Sequence, residues 1–187
     1  MKEILTSSLL LLALLTTANA ATSKEFYDNG NVKFEYNYQN NKKNGLTTEY
    51  TKTGKIIARW HFKDDVLNGI TTKYNENGVK QAEINYVDGK QQGITKKYNK
   101  HGLLQYELYF QNERLNGISK EYENGILKAA WNYIDGIKNG ISTIYHKNGQ
   151  IKYKLTYKNA KLHGTATEFS EAGQKKSEWN YTEGQLK

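Results

Sequence analysis

Two glycine series at constant spacing constrain this chain more than any other feature. Gly30, Gly54, Gly78, Gly102, Gly125, Gly149 and Gly173 follow one another at 24, 24, 24, 23, 24 and 24 residues. Gly45, Gly69, Gly93, Gly117, Gly140 and Gly164 run fifteen residues behind the first series. A fixed period in this range marks a repeat architecture, in which each unit buries surface mainly against its neighbours. The stretch YENGILKAAWNYIDGIKNGI, residues 122 to 141, has the look of a glycine-rich ligand loop. Beside its relatives along the chain it is one unit among several. Its three-residue gap from Tyr122 to Gly125, where the other copies have four, places a deletion in a turn and leaves the flanking segments in phase.

Within each unit the period is two. Counted from the first glycine, positions +4, +6 and +8 hold Phe34, Tyr36 and Tyr38, then Ala58, Trp60 and Phe62, then Ala82, Ile84 and Tyr86. Ala129, Trp131 and Tyr133, and later Ser177, Trp179 and Tyr181, continue the column, with mostly polar residues between them. Alternation of this kind predicts half-buried β-strands. A second strand follows the second glycine, as in Leu46, Thr48 and Tyr50 or Ile141, Thr143 and Tyr145. Asp88-Gly89 and Asp135-Gly136, with Asn112-Glu113 and Asn159-Ala160 as variants, stand between the strands as hairpin turns. The expected fold is all-β: an elongated, single-layer antiparallel meander of hairpins about 24 residues long, curled into a trough. About thirteen strands would span roughly 60 Å. With no proline in the chain, edge protection falls to lysine and glutamate.

The register admits two solutions. A strict two-residue turn sets Trp131 opposite Gly140 and turns the Ile141/Thr143/Tyr145 series to the other face. A longer or bulged connection puts both apolar series on one face, because a one-residue slip inverts a strand. The shared face hides more apolar surface and is the expectation adopted here. It groups Tyr36, Trp60, Trp131 and Trp179 with Tyr50, Tyr74, Tyr98, Tyr122 and Tyr145 as a candidate aromatic binding face.

The first twenty residues, MKEILTSSLLLLALLTTANA, read as a secretory signal with an apolar run from Ile4 to Leu15 and an Ala18-Asn19-Ala20 cleavage site. Export to the periplasm, cell surface or medium after cleavage near Ala20 is the expectation, with residues 21–187 as the repeat domain. No cysteine is present to form a disulfide or carry a lipid. The formal net charge of +8 comes almost entirely from lysine, Arg59 and Arg114 being the only arginines. Nucleic-acid readers favour the planar guanidinium. A lysine-rich surface suits solubility and loose attraction to anionic polymers or membranes, so no nucleic-acid partner is expected.

Chemistry is hard to find. His61, His101, His146 and His163 fall at unrelated repeat positions and read as solvated residues, two of them in turns, so no metal or cofactor is expected. Carboxylates recur at position +5 as Glu35, Glu83, Glu107 and Glu178, but the same place holds Arg59, Ala130 and Lys154 elsewhere. A solvated strand face explains them, and no catalytic residue is assigned. The glycines precede no helix and no Gly-Lys-Ser/Thr, so turn punctuation replaces phosphate binding.

Tyr122-Glu123-Asn124-Gly125, Asn75-Glu76-Asn77-Gly78 and Asp88-Gly89-Lys90-Gln91-Gln92-Gly93 resemble units of the bacterial MORN-repeat variant. The resemblance covers the chain from about Phe26 to Lys187, six full units and part of a seventh. Proteins of this kind are often grouped with YwqK-type antitoxins. The resemblance implies a hairpin sheet used for protein or membrane contact and not for catalysis. The expected function is therefore a non-enzymatic exported binding or scaffold module, contacting another protein or self-associating through the sheet face or the C-terminal edge. Binding of an anionic or carbohydrate envelope polymer or membrane surface, and an antitoxin-like role toward a toxin, are the alternatives. The last hairpin is half-built at Lys187, one residue before the next glycine in phase.

Overall fold

The computed structural model describes residues 20–187; the proposed signal sequence and its cleavage site fall essentially outside them. These residues form one antiparallel sheet of twenty strands without helix. No helix among the described residues is long and apolar enough to cross a membrane.

The first five repeats have three parts, and in the sixth the last two merge into the continuous strand Lys161–Phe169. A long strand such as Val32–Gln39 carries the alternating aromatics, a two-residue stub such as Lys42–Lys43 follows, and a return strand such as Gly45–Tyr50 completes the unit. Ile56–Lys63, Val66–Leu67 and Gly69–Tyr74 repeat the order. The final long strand is Lys175–Thr182 with its stub Gln185–Leu186. Ahead of the first long strand, Ala20–Phe26 pairs with it from Ala20↔Gln39 to Phe26↔Val32.

The two connections differ in kind. Between long strand and stub the turn has two residues, both at positive φ: Asn40 at 52° and Asn41 at 60°, Asp135 at 50° and Gly136 at 83°. That is the twist-matched turn of tight hairpins. The return strand passes to the next long strand through a three-residue loop, closed by the Thr51 N–H on Lys55 O at 2.7 Å with Gly54 at φ 81°. The deletion falls here. Glu123 pairs with Ile126, leaving Asn124 and Gly125 as a two-residue turn at φ 51° and 81°. An Asn-Gly pair tolerates both left-handed positions, so the shortened repeat exchanges one turn class for another. Its flanking register is preserved, with Glu121↔Ala129 matching Glu49↔Ala58.

The register resolves the facing question against the shared face. The turn is strict, with Tyr133↔Lys138 and Ile134↔Ile137, yet farther along Ala130 pairs with Thr143 and Ala129 with Ile144. Two extra residues on the return strand are absorbed around Asn139 and Gly140. An insertion of two moves the register but keeps the face, so the Ile141/Thr143/Tyr145 series lies opposite the Trp131 series. Trp131 consequently sits beside Ser142 and not opposite Gly140.

The bulge is braced by position +7 of the long strand. In the first repeat Asn44 N–H still reaches Asn37 O at 2.9 Å, and the Asn37 amide donates to Leu46 O at 2.6 Å. Asn85 reaches Gln92 O at 2.8 Å, the Thr156 hydroxyl reaches Thr165 O at 2.9 Å, and His61 uses Nδ1 on Ile70 O at 2.6 Å. A carbonyl freed by the bulge would otherwise lack a partner.

Neighbouring repeats are stitched at their tight turns. Asp65 N–H donates to Lys43 O at 2.9 Å, Gly89 to Leu67 O at 2.8 Å, and the series continues to Gly184 on Leu162 O at 2.8 Å.

Candidate functional site

The candidate aromatic face divides in two. Tyr36, Trp60, Trp131 and Trp179 lie on one side of the sheet. Tyr50, Tyr74, Tyr98, Tyr122 and Tyr145 lie on the other, and all nine are half-buried.

The tryptophan face is built on a row of small residues that sequence reasoning passed over. Thr71 and Ser142 are 0% exposed and Thr95 and Ser119 1%, with Thr47 and Ala166 at 3%. Each stands two residues after the second glycine and pairs with a large residue at +6: Thr47↔Trp60, Thr71↔Ile84, Ser119↔Trp131, Ser142↔Leu155, Ala166↔Trp179. Large and small side chains therefore alternate across the strands, and the large ones close over the small. This is how a single layer obtains fully buried positions without a second sheet. The signal was visible in the sequence as a column that is small in every copy.

Three of the aromatic polar groups on this face are engaged by glutamates. Trp60 Nε1–H donates to Glu49 at 3.2 Å, Trp131 Nε1–H to Glu121 at 3.3 Å, and the Tyr36 hydroxyl to Glu25 at 3.0 Å. Lys128 and Lys33 pair with the latter two carboxylates at 3.0 and 2.8 Å. Lys138 Nζ sits 3.4 Å from the Trp131 ring centre and Lys43 4.7 Å from that of Tyr36. The Lys33 hydrogen bond holds Glu25 below the usual carboxylate range. Burial pulls the Lys138 ammonium down, opposed by Glu121.

The tyrosine face explains the +5 glutamates better than solvation does. Tyr50 donates to Glu35 at 3.1 Å, Tyr98 to Glu83 at 2.8 Å and Tyr122 to Glu107 at 2.9 Å. Lys80 lies 2.6 Å from Glu83, and Lys120 3.5 Å from Glu107. Where the glutamate becomes Arg59, the guanidinium donates to the Tyr74 hydroxyl at 3.4 Å. Burial first, and the carboxylate hydrogen bond second, push Tyr98 and Tyr122 up to about 12. The Lys80 bond holds Glu83 low.

Beside this ladder runs an apolar row. Ile70 and Ile94 are 51% exposed, Ile118 60% and Ile141 61%, one per repeat immediately after the second glycine. Their cross-strand partners are Asn85, Tyr109, Asn132 and Thr156, all at position +7, of which Asn85 and Thr156 brace the bulges, and all four isoleucines stay at least half exposed beside them.

Two of the histidines do structural work that their scatter concealed. His61 braces a bulge. His146 is not a solvated turn residue: its side chain is 14% exposed, and Nε2 bonds Phe169 O of the next repeat at 2.9 Å. Tyr27, at the same repeat position, reaches Tyr50 O at 2.7 Å. His163 lies 3.3 Å from Glu183, and His101 is exposed in a three-residue loop. No group of three His, Asp or Glu able to hold a metal occurs among the described residues.

The fold and its two faces define an open hairpin-repeat protein whose side chains are arranged for packing and contact. The family described as MORN repeat variant matches residues 21–40, 43–64, 67–88, 138–159 and 162–187, more than half of the chain. The chain belongs to that family, whose repeats generally serve as binding or scaffold modules. The match omits residues 89–137, where the structure nonetheless continues the same strands, bulges and stitches through the shortened repeat. Comparison with curated proteins gave no match.

Proposed function

We propose that this chain is an exported, non-enzymatic scaffold that binds another protein along its tyrosine face. The observation that carries the reading is the row Ile70, Ile94, Ile118 and Ile141, at least half exposed and repeated at one residue per unit. Single exposed apolar residues are ordinary, but the same position left open in four consecutive units forms a regular row that a partner can follow. The tryptophan face offers less, because the Tyr36, Trp60 and Trp131 donors are held by Glu25, Glu49 and Glu121. Export rests on the leader-like sequence of residues 1–20. An N-terminus at or near Ala21 on protein recovered from the envelope or medium is the expected result.

The test of binding is capture from envelope and secreted fractions on immobilised protein. A stoichiometric partner protein should survive high salt and be lost from Ile118→Asp/Ile141→Asp, with the melting transition preserved. Retention only by isolated wall polymer or anionic vesicles, abolished by salt, would replace this reading with lysine-driven polymer binding.

A further inference from the structure

The two outer edges of the sheet formed by the described residues are complementary, and we infer that copies of this chain join head to tail, the Ala20–Phe26 strand of one completing the Lys175–Asn180 edge of the next. This concerns the edges and is independent of what the isoleucine row binds.

Ala20–Phe26 occupies the place of a return strand. Ser23↔Tyr36, Lys24↔Glu35 and Glu25↔Phe34 reproduce Thr47↔Trp60, Thr48↔Arg59 and Glu49↔Ala58, and the irregularity at Glu25/Phe26 reproduces the one at Glu49/Tyr50. Among the described residues every other return strand has a long strand on both sides, and this one has a long strand on one side. At the opposite edge, Lys175–Thr182 is a long strand joined to Lys161–Phe169 and, beyond Thr182, to its stub. The first long strand shows which partner a long strand takes on that side: Phe34↔Glu49 and Glu35↔Thr48. Carried over in phase, these become Ser177 opposite Glu25 and Glu178 opposite Lys24 of a second copy.

The side chains fit that junction on both faces. Lys24 against Glu178 repeats the Lys120–Glu107 pair, which stands at 3.5 Å within the chain. Trp179 has Ala166 on one side of the large–small ladder. Ser23 of the second copy is the small residue the ladder calls for on the other. Asn180 stands where Asn37 and Thr156 donate to the return-strand carbonyl after the second glycine, and Thr22 O of the second copy takes that place. The turn stitches also have matching ends: Leu186 O is the next acceptor after Leu162, and Asn41 N–H the donor before Asp65. Phe26 and Leu186, 47% and 60% exposed at the two edges, stand where Tyr50 and Leu162 are half-buried inside the sheet. A shallow concavity of ≈ 550 Å³ already follows the second edge, bordered by Glu178, Trp179, Asn180 and Leu186. Because the two surfaces differ, the contact is heterologous and gives rings or filaments, not a two-fold dimer.

The chain has no cysteine, which makes register readable by disulfide trapping. In protein expressed from the full sequence, Lys24→Cys/Glu178→Cys should give a ladder of dimers, trimers and higher species on oxidation. Lys24→Cys/Lys176→Cys, two residues out of register on the same face, should give far less. Unmodified protein should gain sedimentation coefficient with concentration. Glu178→Lys should weaken this several-fold, and Lys24→Glu added to it should restore association. A monomer at every concentration, equal trapping by both cysteine pairs, or a ladder that stops at dimer for Lys24→Cys/Glu178→Cys would each overturn the inference.

Discussion

The two faces of this sheet solve the same problem differently. On the tryptophan face, large residues at +6 close over a row of Thr, Ser and Ala that is almost completely buried. On the tyrosine face, phenols are tied to carboxylates and lysines, while isoleucines of the same strands stay open. A single layer cannot bury both sides of itself. This one concentrates its packing on one side and leaves apolar surface on the other, so stability and the proposed contact fall on opposite faces of the same strands.

Substitutions can break that assignment, beginning with the largest effect. Trp131→Ala removes a half-buried ring lying across Ser119 and held by Glu121; a loss of about 3 kcal/mol in denaturant unfolding is expected, toward the lower end for tryptophan truncation. Ser142→Leu adds volume at a position with 0% exposure and should cost about 2 kcal/mol by the same measurement. Gly140→Ala should cost about 1 kcal/mol or somewhat more, because φ is 84° and a Cβ would lie 2.8 Å from the Asn132 amide.

The tyrosine face should show itself in alkali. A raised folded pKa means that the neutral phenol is favoured. The contribution of Tyr98 and Tyr122 is therefore complete below the unfolded value near 10 and lost as pH rises through about 12. Melting followed across that window should show the decline, and Tyr98→Phe/Tyr122→Phe should remove part of it. The smallest effect belongs to Ile141→Thr, expected to change stability by less than about 0.5 kcal/mol while weakening partner capture. A large stability loss there would mean that the isoleucine row is packing and not contact surface.

Much of the fold was legible because glycine spacing and two-residue alternation are local. Strand identity, the turn sequences and the deletion at Asn124-Gly125 all follow from them. The facing of the return strand was not. It depends on two residues absorbed at Asn44-Gly45 and its equivalents, a choice made by bracing amides on the neighbouring strand. The bracing residues Asn37, His61, Asn85 and Thr156 at position +7 carry that signal, but its meaning appears only with the pairing in hand. The buried row from Thr47 to Ala166 was obscured for a related reason. Threonine in a strand reads as β-propensity, and burial of so small a residue depends on what stands opposite it. His146 looked solvated because its partner, Phe169 O, lies 23 residues away.

The stitches between tight turns, each joining one repeat only to the next, make length a free variable of this molecule. Removing one unit from the middle and rejoining its neighbours would recreate the same pairings and turn bonds at the new junction. The spacing between the exposed isoleucines along the sheet would be unchanged, and their number would fall by one. With two strand positions per unit, each step shortens the sheet by roughly 10 Å. The protein is in this sense a graduated ruler, whose reach can be reset in whole divisions without redesigning any contact.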